Sequence, residues 1–206
     1  RAREILRPLA GVDLDAIGYY RFAVGPVAGV EAIISSASGC GVMVKDYGHV
    51  LADDPVYAEK ARRISELTRD LGEYLAHQDY SRLQVDGERR VAFHPPCTLQ
   101  HGQQLHGVVE RVLRQVGFSL TPVPDVHLCC GSAGTYSILQ PELAQQLLDN
   151  RLAALQSGQP EVIATANVGC QLHLLSKAGV PVVHWIELLD RHAVVAGVRK
   201  REAEAA

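Results

Sequence analysis

Apolar positions along this chain follow two periods, and the periods alternate. Leu105, Val108, Val109, Val112, Leu113 and Val116 lie three or four apart and predict an amphipathic helix that Gly117 stops. Leu143, Leu147, Leu148, Leu152 and Leu155 predict a second helix, opened by Pro141 and closed by Gly158. A third stripe, Ile64, Leu67, Leu71, Tyr74 and Leu75, follows the Asp53-Asp54-Pro55 start signal and reads as one continuous helix. Between these stripes stand short β-branched or apolar runs of strand length. They are Glu31 onward to a glycine turn at Cys40, Val91–His94 ended by Pro95-Pro96, Phe118–Val123, Glu161–Asn167 and Pro181–Trp185. Leu172–Lys177 reads as a short helix stopped at Gly179, and Ile5, Leu6 and Leu9 as a brief helical pattern near the start.

Strands separated by helices imply βαβ units and a helix-covered, mostly parallel sheet, so the fold class is α/β. The chain also repeats itself. Glu31–Cys40 lies over Glu161–Cys170 without a gap, with Glu, Ile, Gly and Cys coinciding at an offset of 130 residues. The expectation is two Rossmann-like cysteine-rich lobes, the first truncated. Residues 1–76 hold the partial repeat, the polar stretch 77–90 a linker, 91–192 the complete repeat and 193–206 a tail.

Composition narrows the class. The 206 residues are 47% hydrophobic and 21% charged, as in an ordinary globular protein. A net charge of -3 excludes the basic face that nucleic acid requires. No apolar run approaches the roughly 20 residues of a membrane-spanning helix. The chain opens on Arg1 with no basic-apolar leader behind it, which we read as processing or a piece of a longer protein. Five cysteines in so long a chain point to a reducing compartment with thiols kept for chemistry.

Four of those cysteines form one set: His94-Pro-Pro-Cys97, then Cys129-Cys130-Gly131, then Cys170-Gln-Leu-His173. Each stands where a strand gives way to a loop or helix, and in an open α/β sheet such loops crowd one edge. Cys170 and His173 are three apart at a helix start, on one face. Gly131 supplies the turn that aims two adjacent cysteines the same way. Soft thiolates gathered in this manner suit iron-sulfur or zinc. Core packing is the alternative use of any single cysteine, above all of Cys40, whose partners are missing. His173 is a candidate ligand or a hydrogen-bonding helix residue. His94 and His127 flank the set and support it from outside, while His101 and His106 read as surface residues.

These residues resemble the cysteine-rich CCG domain found repeated in heterodisulfide reductases and in subunits of several respiratory dehydrogenases. The strings SASGCGVMVKDYGHVLADDP, HLCCGSAGTYSILQPELA, TANVGCQLH and VVHWIELLD are similar, more narrowly, to iron-sulfur subunits of bacterial glycolate oxidases. The resemblance covers about Glu31 to Asp190. It implies an electron-transfer subunit with a [4Fe-4S] cluster held by Cys97, Cys129, Cys130 and Cys170, with His173 and Cys40 as further ligand positions. It also implies FAD in a partner subunit that oxidises glycolate, and a cytoplasmic chain associated peripherally with the inner membrane. The departures from the pattern are Met43 and His173 where it carries a second cysteine, and these residues lack the C-x2-C-x2-C-x3-C-P runs of the ferredoxin-like half. No residue reads as a base or nucleophile toward glycolate. Two other classes compete: a structural module fixed by zinc on three cysteines and His173, and thiol-disulfide chemistry at Cys129-Cys130.

Overall fold

A computed structural model describes residues 30–80, 83–85 and 89–195. The helical pattern around Ile5 lies outside those residues. The centre of the molecule is a four-stranded, all-parallel sheet in the order β5-β4-β6-β7, formed by Ser119–Leu120, Arg90–His94, Val162–Thr165 and Val182–His184. Strand alternation sends Val91 and Phe93 to one face and Ala92 to the other. On the first face pack α4 (Val108–Val116) and α8 (Trp185–His192), through Val109, Val112, Leu113, Trp185 and Leu188. On the second pack α6 (Pro141–Gln156) and α7 (Val168–Leu175), through Leu148, Leu152, Leu155 and Leu174. A single turn, α5 (Tyr136–Leu139), leads into α6. This is a doubly wound α/β layer, as the alternating periods predict.

The connection from β4 runs to β5 on one side, and the chain then returns to β6 on the other. Loops leaving those neighbouring strands therefore diverge and open a crevice at their carboxyl ends. His94 closes β4 at this point, with Cys97 just beyond it. Cys129-Cys130 follows β5, and Cys170 follows β6.

The repeat is visible in three dimensions. Strand β1 (Ile33–Ser35) leads into α1 (Ser38–Val50), just as β6 leads into α7, and both helices begin at the positions the offset of 130 pairs. Strand β1 pairs in parallel with β2 (Thr68–Asp70) in a small second sheet. The two strand–helix turns meet each other. Ser38 N–H donates to the Ala166 carbonyl at 3.0 Å, its hydroxyl lies 2.8 Å from that of Thr98, and Gln103 donates to its carbonyl at 3.0 Å. His184 Nε2 donates to the Ser36 carbonyl at 2.8 Å.

Several boundaries differ from the sequence expectation, each for a local reason. The stripe from Ile64 to Leu75 is not one helix. Helix α2 (Ala58–Leu67) stops, Thr68–Asp70 extends as β2, and α3 (Leu71–Leu75) starts afresh. Asp70 enforces the break with a capping box: its carboxylate accepts from Gly72 N–H at 2.8 Å while Glu73 reaches back to the Asp70 amide. Cys40 lies inside the first turn of α1 and not in a turn before it. The strand expected over Phe118–Val123 shrinks to two residues. Cys97 leads into a π-helical turn, Thr98–Gly102, that no periodicity announces. Within the stretches read as linker and tail, β3 (Leu83–Val85) and β8 (Ala193–Val195) pair antiparallel.

Candidate metal centre

The site assembles from four chain segments. Asn167 caps α7, its side-chain oxygen accepting from Gly169 N–H at 2.9 Å and Cys170 N–H at 3.3 Å. That cap starts the helix at Val168, ahead of the Leu172 start expected from the sequence, and places Cys170 in the first turn, buried against Leu148 and Leu174. Gly131 stands at φ +91°, and a Cβ there would lie 2.4 Å from the Ala144 carbonyl oxygen. Only glycine fits this turn. Its amide donates to Cys129 Sγ at 3.3 Å, so the turn itself hydrogen-bonds the sulfur.

The four thiols face one another in a row. Cys97 pairs with Cys129, Cys129 with Cys130, and Cys130 with Cys170. Their acidities alternate accordingly. Hydrogen bonds from Cys130 and Cys97 hold Cys129 far below an ordinary thiol, and the Cys130 hydrogen bond, with His94 behind it, holds Cys170 low. Cys97 and Cys130, the donors in those bonds, are pushed up, and burial pushes them further. The arrangement thus favours the thiolate at Cys129 and at Cys170, which is the form that binds metal.

The structure brings Cys97, Cys129, Cys130 and Cys170 together. Cys40 is exposed on α1, across the seam between the two repeats, and is not among the facing sulfurs. Met43, one turn on, is exposed as well. His173 is half-buried, and its Nε2 points to Gly131, 3.2 Å from where a Cβ would stand, with no hydrogen-bond partner. His127, His101 and His106 are exposed.

Two members of the neighbourhood carry more than the sequence suggested. A ring nitrogen of His94 and the sulfurs of Cys130 and Cys170 all lie within 4.8 Å of one another. Arg151 of α6 is wholly buried behind them and donates to His94 Nδ1 at 2.9 Å. The sequence carries a signal for it. Arg151 falls three after Leu148 and four before Leu155, so a charge sits on the apolar stripe of its helix. The donor set fits a soft metal centre: converging thiols, the buried His173 Nε2 without a partner, and an apolar backing.

Sequence comparison gives the family of this segment. Residues 91–175 match the family of the CCG cysteine-rich domain, a span that holds all four facing cysteines. The chain carries a CCG cysteine-rich domain. Over 164 residues, 80% of its length, it is 56% identical to the "Glycolate oxidase iron-sulfur subunit" of Escherichia coli (strain K12), of which it covers 40%. It is also 29% identical over 172 residues to "Lactate utilization protein A" of Bacillus licheniformis, covering 78% of this chain and 70% of that one. A protein of the same name from Bacillus velezensis is 28% identical over 194 residues, covering 88% and 79%. The chain therefore spans less than half the length of the glycolate oxidase relative.

Proposed function

We propose that this chain is the cysteine-rich part of an electron-transfer subunit in an oxidoreductase acting on glycolate or a similar 2-hydroxy acid. The observation that carries the proposal is the row of four thiols, each paired with the next, from two loops and a helix start, inside a segment so similar to an iron-sulfur subunit. In this reading Cys97, Cys129, Cys130 and Cys170 hold an iron-sulfur cluster of the [4Fe-4S] type, with His173 beside it. Such a cluster accepts and returns single electrons. The chain's own residues keep it dry, supply thiolates and set its charge environment. Cys40 belongs to the corresponding position of the first repeat, within 1–76, and stays outside the cluster of 91–192. A flavin subunit would oxidise the substrate and pass electrons on. The complex would work in the cytoplasm, peripheral to the inner membrane. Among the described residues no helix is long and apolar enough to cross one.

The test is metal analysis and visible absorption of the full chain purified without oxygen. Iron, sulfide and broad visible absorption are expected, lost in Cys130→Ser and kept in Cys40→Ser. Colourless protein with stoichiometric zinc would replace this reading with the structural one. Removal of His173 (His173→Ala) without change in metal content would take that ring out of the ligand set. Reduction of the bound centre by substrate should require the flavin partner.

A further inference from the structure

Arg151 poses a problem that metal binding by cysteines does not by itself answer. Its side chain is 0% exposed, and burying a guanidinium costs several kcal/mol unless it is compensated. Its hydrogen bonds go to His94 Nδ1 and, from Nη1, to the Asp125 carbonyl, both at 2.9 Å, and Nη2 has no partner. Neither acceptor is a carboxylate. Burial lowers its pKa, and Asp125 and the cysteine sulfurs beside it work in the opposite direction. The cysteine site thus lies within the electrostatic reach of this arginine.

The hydrogen bond to His94 has a strict consequence. A guanidinium has donors only, so Nδ1 must accept with its lone pair and cannot carry the ring proton. In a neutral ring the proton then sits on Nε2. That nitrogen is buried without a partner, and His94 as a whole is 1% exposed. With one nitrogen engaged and the other protonated, no lone pair is left for a metal. A ring nitrogen of His94 lies within 4.8 Å of the sulfurs of Cys130 and Cys170, and these are the acceptors at hand.

We propose that His94 is not a ligand of the metal centre but a hydrogen-bond donor, through Nε2–H, to the Cys170 sulfur, and that Arg151 is the positioning residue that enforces this tautomer. The pair also sets a buried positive charge behind the sulfurs. Both effects favour added electron density on the centre and raise its reduction potential. The second consequence rests on the proposed cluster; the tautomer does not.

The experiment has two arms. In the first, the metal-free full chain labelled with 15N-histidine is examined by NMR, with the His94 signals assigned by their loss in His94→Gln. A protonated Nε2 and a bare Nδ1 are expected, kept in Arg151→Lys and lost in Arg151→Met. A protonated Nδ1, or an imidazolium at neutral pH, overturns the proposal. In the second arm the iron-loaded protein is titrated and examined by pulsed EPR. Arg151→Met and His94→Leu should shift the reduction equilibrium roughly tenfold toward the oxidised form, about 59 mV for one electron, and His94→Gln less. A weak 15N coupling that His94→Gln removes is expected. A strong coupling of a bonded nitrogen, or a potential indifferent to both residues, refutes the role. Should no metal bind, the function proposed above fails while the first arm still decides the tautomer. Should Arg151→Met not fold, the wild-type spectra decide.

Discussion

Replacing Gly131 by alanine tests how tightly the turn between the paired cysteines and α6 is built. Two costs add. A non-glycine residue at positive φ is disfavoured by about 1–2 kcal/mol, and this position stands at +91°. The new methyl would lie 2.4 Å from a backbone oxygen, that of Ala144, which cannot swing aside as a side chain does. Overpacking of that kind costs about 1–3 kcal/mol. Gly134 is the internal control: its φ is +60°, but a Cβ there would have nothing within 4 Å. Gly134→Ala should therefore show the conformational cost alone, about 1 kcal/mol. At about 2–4 °C per kcal/mol for a chain of this size, Gly131→Ala at about 3 kcal/mol should melt about 6–12 °C lower and Gly134→Ala about 2–4 °C lower. Urea unfolding of the metal-free protein followed by circular dichroism gives both values without the complication of metal loss. If Gly131→Ala loses no more stability than Gly134→Ala, the close approach of the turn to α6 is wrong.

Three further outcomes are expected. Asn167→Ala should cost about 1–2 kcal/mol in urea unfolding through loss of the α7 cap, and Asn167→Asp distinctly less, because the carboxylate still accepts from Gly169 and Cys170; equal losses would remove the cap from the account. Burial lowers the pKa of His184, whose Nε2 donates to Ser36, so the fold favours the neutral ring. As pH falls below the unfolded value of about 6.5, the unfolded state gains the proton first and stability is lost; His184→Gln should flatten this part of the stability–pH curve, and an unchanged curve would exclude the group. Leu148→Ala should cost about 2–5 kcal/mol in the same assay, since Leu148 is fully buried and packs beside Cys130 and Cys170; a loss under about 1 kcal/mol would mean that the wall behind the sulfurs collapses freely.

What the sequence disclosed and what it hid have physical causes. Strands β4 and β6 and helices α4 and α6 were legible because each is buried in a regular pattern, Val91 to His94 and Val162 to Thr165 on both faces. The convergence of the cysteines followed from their position after parallel strands, and the repeat from ten aligned residues. Strand β2 was hidden because Leu67 and Leu71 keep helical spacing across Thr68–Asp70. Only the carboxylate geometry at Asp70 reveals the break. The pairing of Leu83–Val85 with Ala193–Val195 joins segments far apart in the chain, neither long enough to show alternation. The inward course of Arg151 is not fixed by its place on the stripe, because a single arginine in a leucine-rich helix usually reaches water. Here the long side chain runs inward to a histidine at the end of a strand, and that is a tertiary fact.

Where the two strand–helix turns meet, the seam is made of hydroxyls, amides and carbonyls, with Ser38, Thr68 and Asp70 buried at or near it. Beside it Leu71, Tyr74 and Leu75 of α3 join the apolar cluster of Val109 and Val112 from α4. The apolar contact resists parting, and the polar one much less. A polar seam exchanges each internal partner for water, and a typical hydrogen bond yields only about 1 kcal/mol net. The apolar packing of α3 therefore closes the junction, and the polar turns set its register. Asn167 stands in it with its nitrogen 3.4 Å from the Ser38 hydroxyl and its oxygen on the amides that begin α7 at Cys170. One side chain thus joins the first repeat to the helix start that carries Cys170, so the first repeat shares in fixing where that sulfur stands.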